Sequence, residues 1–183
     1  PCNSLIHINS RPVDTSVARD DRESLVIMRE NARPILDAVD RHGSLHMIIL
    51  GPLRVHPQWE PGEEYYGFDS TLAPRDVAAE GQLWIEENAL ERAESERPVS
   101  VIRASNVQGV PISGPPGNGI LHRWAFESQM GWITVPGDVS QVKDIVHVQA
   151  LVSVVDSILK NPPPTRERFA VGAGKAIPMT ALP

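Results

Sequence analysis

Residues 98–109 read PVSVIRASNVQG, an apolar run through Val99, Val101 and Ile102 that passes into a polar turn bearing Arg103, Ser105 and Asn106. A guanidinium, a hydroxyl and a carboxamide delivered together at a strand end are donors and acceptors that can fix a polar ligand. Asp76 and Glu80 stand one helical turn apart, which puts both carboxylates on one face. Paired titratable groups in a pocket can be driven to different pKa values and divide acid and base duties. The same spacing is common on solvated helix surfaces. The six histidines contain no H-E-x-x-H motif, and the single Cys2 cannot build a thiolate cluster, so no metal site is expected.

The chain that must position these groups has 183 residues, enough for one domain with a small appendage and a substantial core. Its 17 basic and 23 acidic residues leave a net charge of −6. With no basic stripe to displace counterions, nucleic acid and anionic membrane surfaces are not expected partners. No apolar run approaches the ~20 residues of a bilayer-crossing helix, and no charged-then-apolar leader opens the sequence. One cysteine fits a reducing setting, so a cytoplasmic location is the expectation.

Apolar periodicity gives the elements. Residues 4–9 (SLIHIN) and 46–50 (HMIIL) read as short buried strands. Between them, Leu25, Met28, Ile35, Leu36 and Val39 recur at helical spacing over 23–42, with Pro34 predicting a kink or break and Gly43 a C-terminal stop. Residues 75–94 form the clearest helix, with Val77, Trp84, Ile85 and Leu90 as its apolar side. A third strand opens after Pro98. A short helix over 120–131, a strand at 132–135, a strand turning into a helix over 144–160 and a last strand at 168–172 complete the reading. Strands alternating with helices predict an α/β fold with a parallel sheet.

Five stretches, in order, resemble the extended short-chain dehydrogenase/reductase group, the NAD-dependent epimerase/dehydratase family. LIHINS resembles its V-I-H-L-A-A strand, and ILDAVDRHG with HMIIL resembles its L-L-E-A-A-x-x-x-G helix and following strand. PVSVIRASNVQG is similar to P-V-x-x-L-R-x-x-N-V-Y-G, and QVKDIVHVQAL to x-x-R-D-F-I-H-V-x-D-L. FAVGAGKAIPMTAL is similar to Y-N-V-G-x-G-x-x-x-T-x-x-E-L. The resemblance starts at the family's fourth strand and implies a truncated Rossmann-like parallel sheet flanked by helices, with a small partial substrate-binding region. On that reading residues 1–109 are the core, and 110–183 are a partial substrate domain interleaved with the last core strands.

The family's hydride chemistry uses a Tyr-x-x-x-Lys pair aided by a Ser or Thr and an Asn, the ammonium depressing the phenol pKa. The matching positions here hold Leu72, Asp76, Pro52 and Met28. The only tyrosines are Tyr65 and Tyr66, the only lysines Lys143, Lys160 and Lys175, so no tyrosine has a lysine four residues on. No G-x-G-x-x-G occurs either, so no cofactor-binding residue is assigned; NAD(P) is expected only if a missing segment or a partner supplies the glycine-rich loop. The resemblance does carry over Asn106 and Lys143 as contacts to a nucleotide sugar, Lys143 replacing an arginine that meets its diphosphate, with Arg103 and His147 nearby in the same motifs.

The expected function is that of a non-redox relative, a pseudoenzyme or accessory subunit binding a partner chain or a phosphorylated, nucleotide-sugar-like ligand. The alternative is a repurposed cofactor-independent lyase, isomerase or cyclase, of a kind found in bacterial secondary metabolism, with His56 or Asp76 as the general base and catalytic residue. In the parent fold strand 4–9 lies inside the sheet; here it becomes an edge, so a homo-oligomer or a partner chain is expected to cover it. The helices at 23–42 and 75–94 resemble the pair that forms the family's dimeric four-helix bundle, a second route to self-association.

Overall fold

The computed structural model describes residues 3–8, 20–56, 72–109, 127–131, 142–174 and 177–178. Its strands are β1 (Ser4–Ile8), β2 (His46–Pro52), β3 (Val99–Ala104), β4 (Asn106–Gln108), β5 (Val142–Lys143), β6 (Ile145–His147), β7 (Arg166–Val171) and β8 (Ile177–Pro178). Its helices are α1 (Asp21–Arg41), α2 (Val77–Glu91) and α3 (Val148–Lys160). Of the expected helix over 120–131 only 127–131 is described, with 127–129 helical; the expected strand at 132–135 lies outside the described residues.

The chain divides into two compact units: Pro1–Arg103 with Asp156–Ala170, and Ala104–Val155 with Val171–Pro183. The first is a parallel sheet flanked by helices, in the order β1-β2-β3-β7. β1 pairs parallel with β2 from Ser4↔His46 to Ile8↔Leu50. Alternation along the strands sends Leu5, Met47, Ile49, Val99 and Val101 toward Ala32, Leu36 and Val39 of α1 and Ile85, Ala89 and Leu90 of α2, one apolar cluster. α1 and α2 sit close because Gly81 has no side chain: a Cβ there would lie 2.4 Å from Met28 Cε. In the second unit β4 pairs parallel with β6, and β5 antiparallel with β8.

α1 starts where Asp20 accepts from the Glu23 N–H at 2.8 Å. Two expectations for this helix need correcting. The expected break at Pro34 does not form, the helix continuing through it; Pro34 and Glu30 are both exposed, so water can reach the carbonyl that proline leaves without a donor. The helix also ends without a left-handed glycine: His42 is the extended cap, its N–H donating to Val39 O at 3.2 Å, and Gly43 has no positive φ. A third correction concerns Arg103, which lies inside β3 rather than in a polar turn, 3% exposed. Asn106 opens a further strand, β4.

Candidate functional site

In the first unit, one cluster of buried polar groups gathers around Arg103. β3 carries it at its C-terminal end, and α2 turns Gln82 and Glu86, one helical turn apart, toward it. Arg103 Nε and Nη2 donate to Glu86 Oε2 at 2.9 and 2.8 Å, while Gln82 Nε2 donates to Glu86 Oε1 at 2.9 Å. The third guanidinium nitrogen, Nη1, donates to His56 Nε2 at 3.0 Å. Glu86 is fully buried; burial raises its carboxyl pKa against the opposing pull of Arg103 and the hydrogen bond from Gln82. β2 reaches this network through Gly51, whose bare Cα leaves room for the Gln82 amide.

His56 follows a 3-10 turn, Leu53–Val55, which β2 feeds directly. Arg75 Nε donates to the His56 carbonyl at 3.0 Å, and the Ala73 N–H donates to Val55 O at 3.0 Å. Burial first, then the charges of Arg103 and Arg75, hold the imidazole pKa down to about 4. The ring is therefore neutral near neutral pH, with Nε2 as acceptor and its proton on Nδ1. The unfolded ring titrates near 6.5, so the unfolded chain binds more protons between about 4 and 6.5. Stability from a neutral His56 is accordingly complete above about 6.5 and declines as pH falls toward about 4. Urea midpoints measured across that window should slope less in His56→Gln than in the wild type; equal slopes would remove His56 as the source.

Asp76, at the lysine position of the resembled motif, is the N-cap of α2: its carboxylate accepts from the Ala79 N–H at 2.9 Å. Glu80 is the acidic residue of that first turn and meets Arg29 at 4.0 Å. Leu72 lies ahead of the helix and Met28 is buried against Gly81. The structure thus brings His56 and Arg103 together and gives Asp76 a capping role.

The second unit holds the other sequence candidates. Asn106 is exposed at the start of β4; its N–H and its Nδ2 both donate to the Asp144 carbonyl, at 3.2 and 3.0 Å. Asp144 Oδ1 accepts from the Ala173 N–H at 2.9 Å. His147 ends β6 opposite Gln108, and its Nδ1 accepts from the Gln149 N–H at 3.2 Å. Lys143 pairs through its backbone with Ile177; its side chain lies outside the described residues. Among the described residues of this unit, three buried side-chain atoms have no hydrogen-bond partner: Ser105 Oγ, Gln108 Oε1 and Asp144 Oδ2. Ser105 and Asp144 precede the paired residues Asn106 and Ile145, so they stand side by side.

Sequence reasoning missed Glu86, Gln82 and Asp144. The i, i+4 spacing of Gln82 and Glu86 was visible; their direction toward the core was not. Among the described residues no group of three His, Cys, Asp or Glu could hold a metal ion. His42 and His46, four apart in sequence, sit on different elements, the end of α1 and the start of β2. No helix among the described residues is long and apolar enough to cross a membrane.

A Rossmann-like α/β fold is defined by these elements. No protein-family model matches the chain, and no curated protein matches it. Solved structures do. MoeE5 in complex with UDP-glucuronic acid and NAD is 18% identical with a TM-score of 0.80, covering 97% of this chain and 59% of its own. The UDP-glucuronic acid 4-epimerase of Bacillus cereus, in complex with a fluorinated UDP-glucuronic acid and NAD, is 15% identical with a TM-score of 0.81, covering 98% and 56%. The dTDP-glucose 4,6-dehydratase of Bacillus anthracis, in complex with NAD, is 17% identical with a TM-score of 0.72, covering 96% and 53%. The chain has the fold of the NAD-dependent epimerase/dehydratase enzymes and spans a little over half the length of these three.

Proposed function

We propose that this chain is a non-redox member of that fold group, a pseudoenzyme or accessory subunit that binds a nucleotide-sugar-like ligand without transferring hydride. The observation that carries the reading is how polar groups are used. In the first unit all three guanidinium nitrogens of Arg103 donate to Glu86 or His56, and the Asp76 carboxylate caps α2. In the second unit Ser105, Gln108 and Asp144 keep buried polar atoms without partners, a costly arrangement that a ligand rich in hydroxyls would relieve. We assign Asn106, Lys143 and His147 to the rim of that ligand site.

NAD fits the described residues of the first unit poorly. The clearance at Gly51 is filled by the Gln82 amide, and a carboxylate stands where the resembled motif has an ammonium. No reaction step is therefore assigned to a dinucleotide. The repurposed-enzyme alternative uses His56 or Asp76 as the base, but the Asp76 carboxylate caps α2, and the His56 Nε2 lone pair accepts from Arg103 while its pKa of about 4 makes it a weak proton acceptor at neutral pH.

Thermal-shift and calorimetric titration with UDP-glucuronic acid, the ligand in the MoeE5 structure, tests the reading. The nucleotide sugar is expected to raise Tm in a concentration-dependent way, less so in Asp144→Ala, while NAD alone gives no shift and no NADH appears with both present. NADH formation, or a shift with NAD alone, would overturn it.

A further inference from the structure

In the second unit, Ser105 and Asp144 come just before Asn106 and Ile145, which are partners in the parallel β4–β6 pair, so their side chains lie next to each other on one face. The backbone holds both in place. The Ser105 N–H donates to Val171 O at 2.9 Å, and the Asn106 N–H donates to Asp144 O at 3.2 Å. The Ala173 N–H donates to Asp144 Oδ1 at 2.9 Å, which fixes the rotation of the carboxylate. Oδ2 and Ser105 Oγ are both buried without a hydrogen-bond partner, so the hydroxyl does not donate to the carboxylate beside it. Among the described residues the Ala173 N–H is the one donor to this carboxylate, and no basic side chain pairs with it. The face is open further along, where Val107, two residues after Ser105, is 37% exposed.

We propose that Asp144 and Ser105 together bind a protonated amino group, so that the ligand is a nucleotide sugar in which an amine replaces one sugar hydroxyl. The inference rests on the nucleotide-sugar reading above and narrows it. A carboxylate only accepts hydrogen bonds, so the group that meets Oδ2 must donate. A hydroxyl can donate to Oδ2 and accept from Ser105 Oγ, so hydrogen-bond count alone does not choose between an alcohol and an amine. The charge does. A partly buried carboxylate with no cation beside it is costly, and an ammonium offsets that cost where a neutral hydroxyl does not. Neighbouring strands lie about 4.8 Å apart, so a nitrogen about 2.8 Å from each oxygen fits between the two side chains. Two of its protons then serve Oδ2 and Ser105 Oγ, and the third faces the open side marked by Val107.

Calorimetric titration of the unmodified chain compares UDP-glucose with UDP-glucoses carrying an amino group in place of each sugar hydroxyl in turn, at a pH where the amine is protonated. One of the amino sugars is expected to bind about tenfold or more tighter than UDP-glucose, the worth of a charge-assisted hydrogen bond. Asp144→Asn keeps an oxygen for the Ala173 N–H but removes the charge, and is expected to bring that ratio close to one. Ser105→Ala leaves the charge and should keep most of the preference. Circular dichroism checks that both variants fold, and the comparison on the unmodified chain needs neither. If UDP-glucose binds and no amino sugar binds tighter, the amine inference falls while the nucleotide-sugar reading stands. A preference that survives Asp144→Asn overturns the inference as well. If no UDP-sugar binds at all, the reading itself falls and the inference falls with it.

Discussion

Glu86→Ala is expected to destabilise the fold by about 3–5 kcal/mol, the range seen when one partner of a buried ion pair is removed. The loss has four parts. Arg103, 3% exposed, keeps a buried positive charge without its carboxylate. The Gln82 amide loses its acceptor, and a cavity opens between α2 and β3. His56 then faces a guanidinium that nothing neutralises. For a chain of this size the change lowers Tm by on the order of 10 °C. Replacing both charges, as Glu86→Leu with Arg103→Met, should recover only the charge part of the loss: an apolar pair removes both charge desolvation penalties, while the hydrogen bonds between Gln82 and Glu86 and between Arg103 and His56 stay lost. Urea unfolding followed by circular dichroism measures all three chains. A loss below about 1 kcal/mol in Glu86→Ala would show that the pair contributes little to folding.

That network also marks where sequence reading stopped. The β-α-β-α-β order, the helix over 77–91 and the strand–helix junction at 145–160 follow from apolar spacing, because burial of one face forces the 2.0 and 3.6 periods. The same rule assigns polar residues outward, and so it placed Val77 and Trp84 on the apolar side of α2. In the structure Ile85 and Leu90 are buried and Trp84, half-buried, packs against the apolar cluster, but Gln82 and Glu86 are buried as well and Val77 is only half-buried. A glutamate can face the core only because an arginine on β3, 17 residues on, meets it there. Nothing local to either residue encodes that pairing. The short strand β4 escaped for a related reason: its partner β6 lies 39 residues further on, and three residues carry too little pattern to announce a strand. The loss of the Tyr and Lys roles, by contrast, was legible at once, since it depends only on which residues occur and how far apart. The N-cap role of Asp76 needed coordinates, because Asp-x-x-Ala at a helix start is also compatible with a free carboxylate.

Gly51→Ala should show how tightly β2 and α2 close around the network. The glycine is not there for backbone freedom, since its φ is not positive. It is there for space. A Cβ would lie 2.3 Å from Gln82 Nε2, 2.8 Å from Gln82 Cδ and 3.0 Å from Glu86 Oε1. Gln82 is a flexible side chain in principle, but here its amide is held by Glu86 and is 1% exposed, so it cannot swing into solvent. The substitution therefore overpacks the site at a cost of about 1–3 kcal/mol. Gln82→Ala alone loses the hydrogen bond to Glu86 but clears the clash, so in the double variant the two losses should fall short of their sum by about 1 kcal/mol or more. If the strand itself were strained by any side chain at position 51, the losses would add in full. The double-mutant cycle, measured by urea unfolding, thus separates a spatial role for Gly51 from a conformational one.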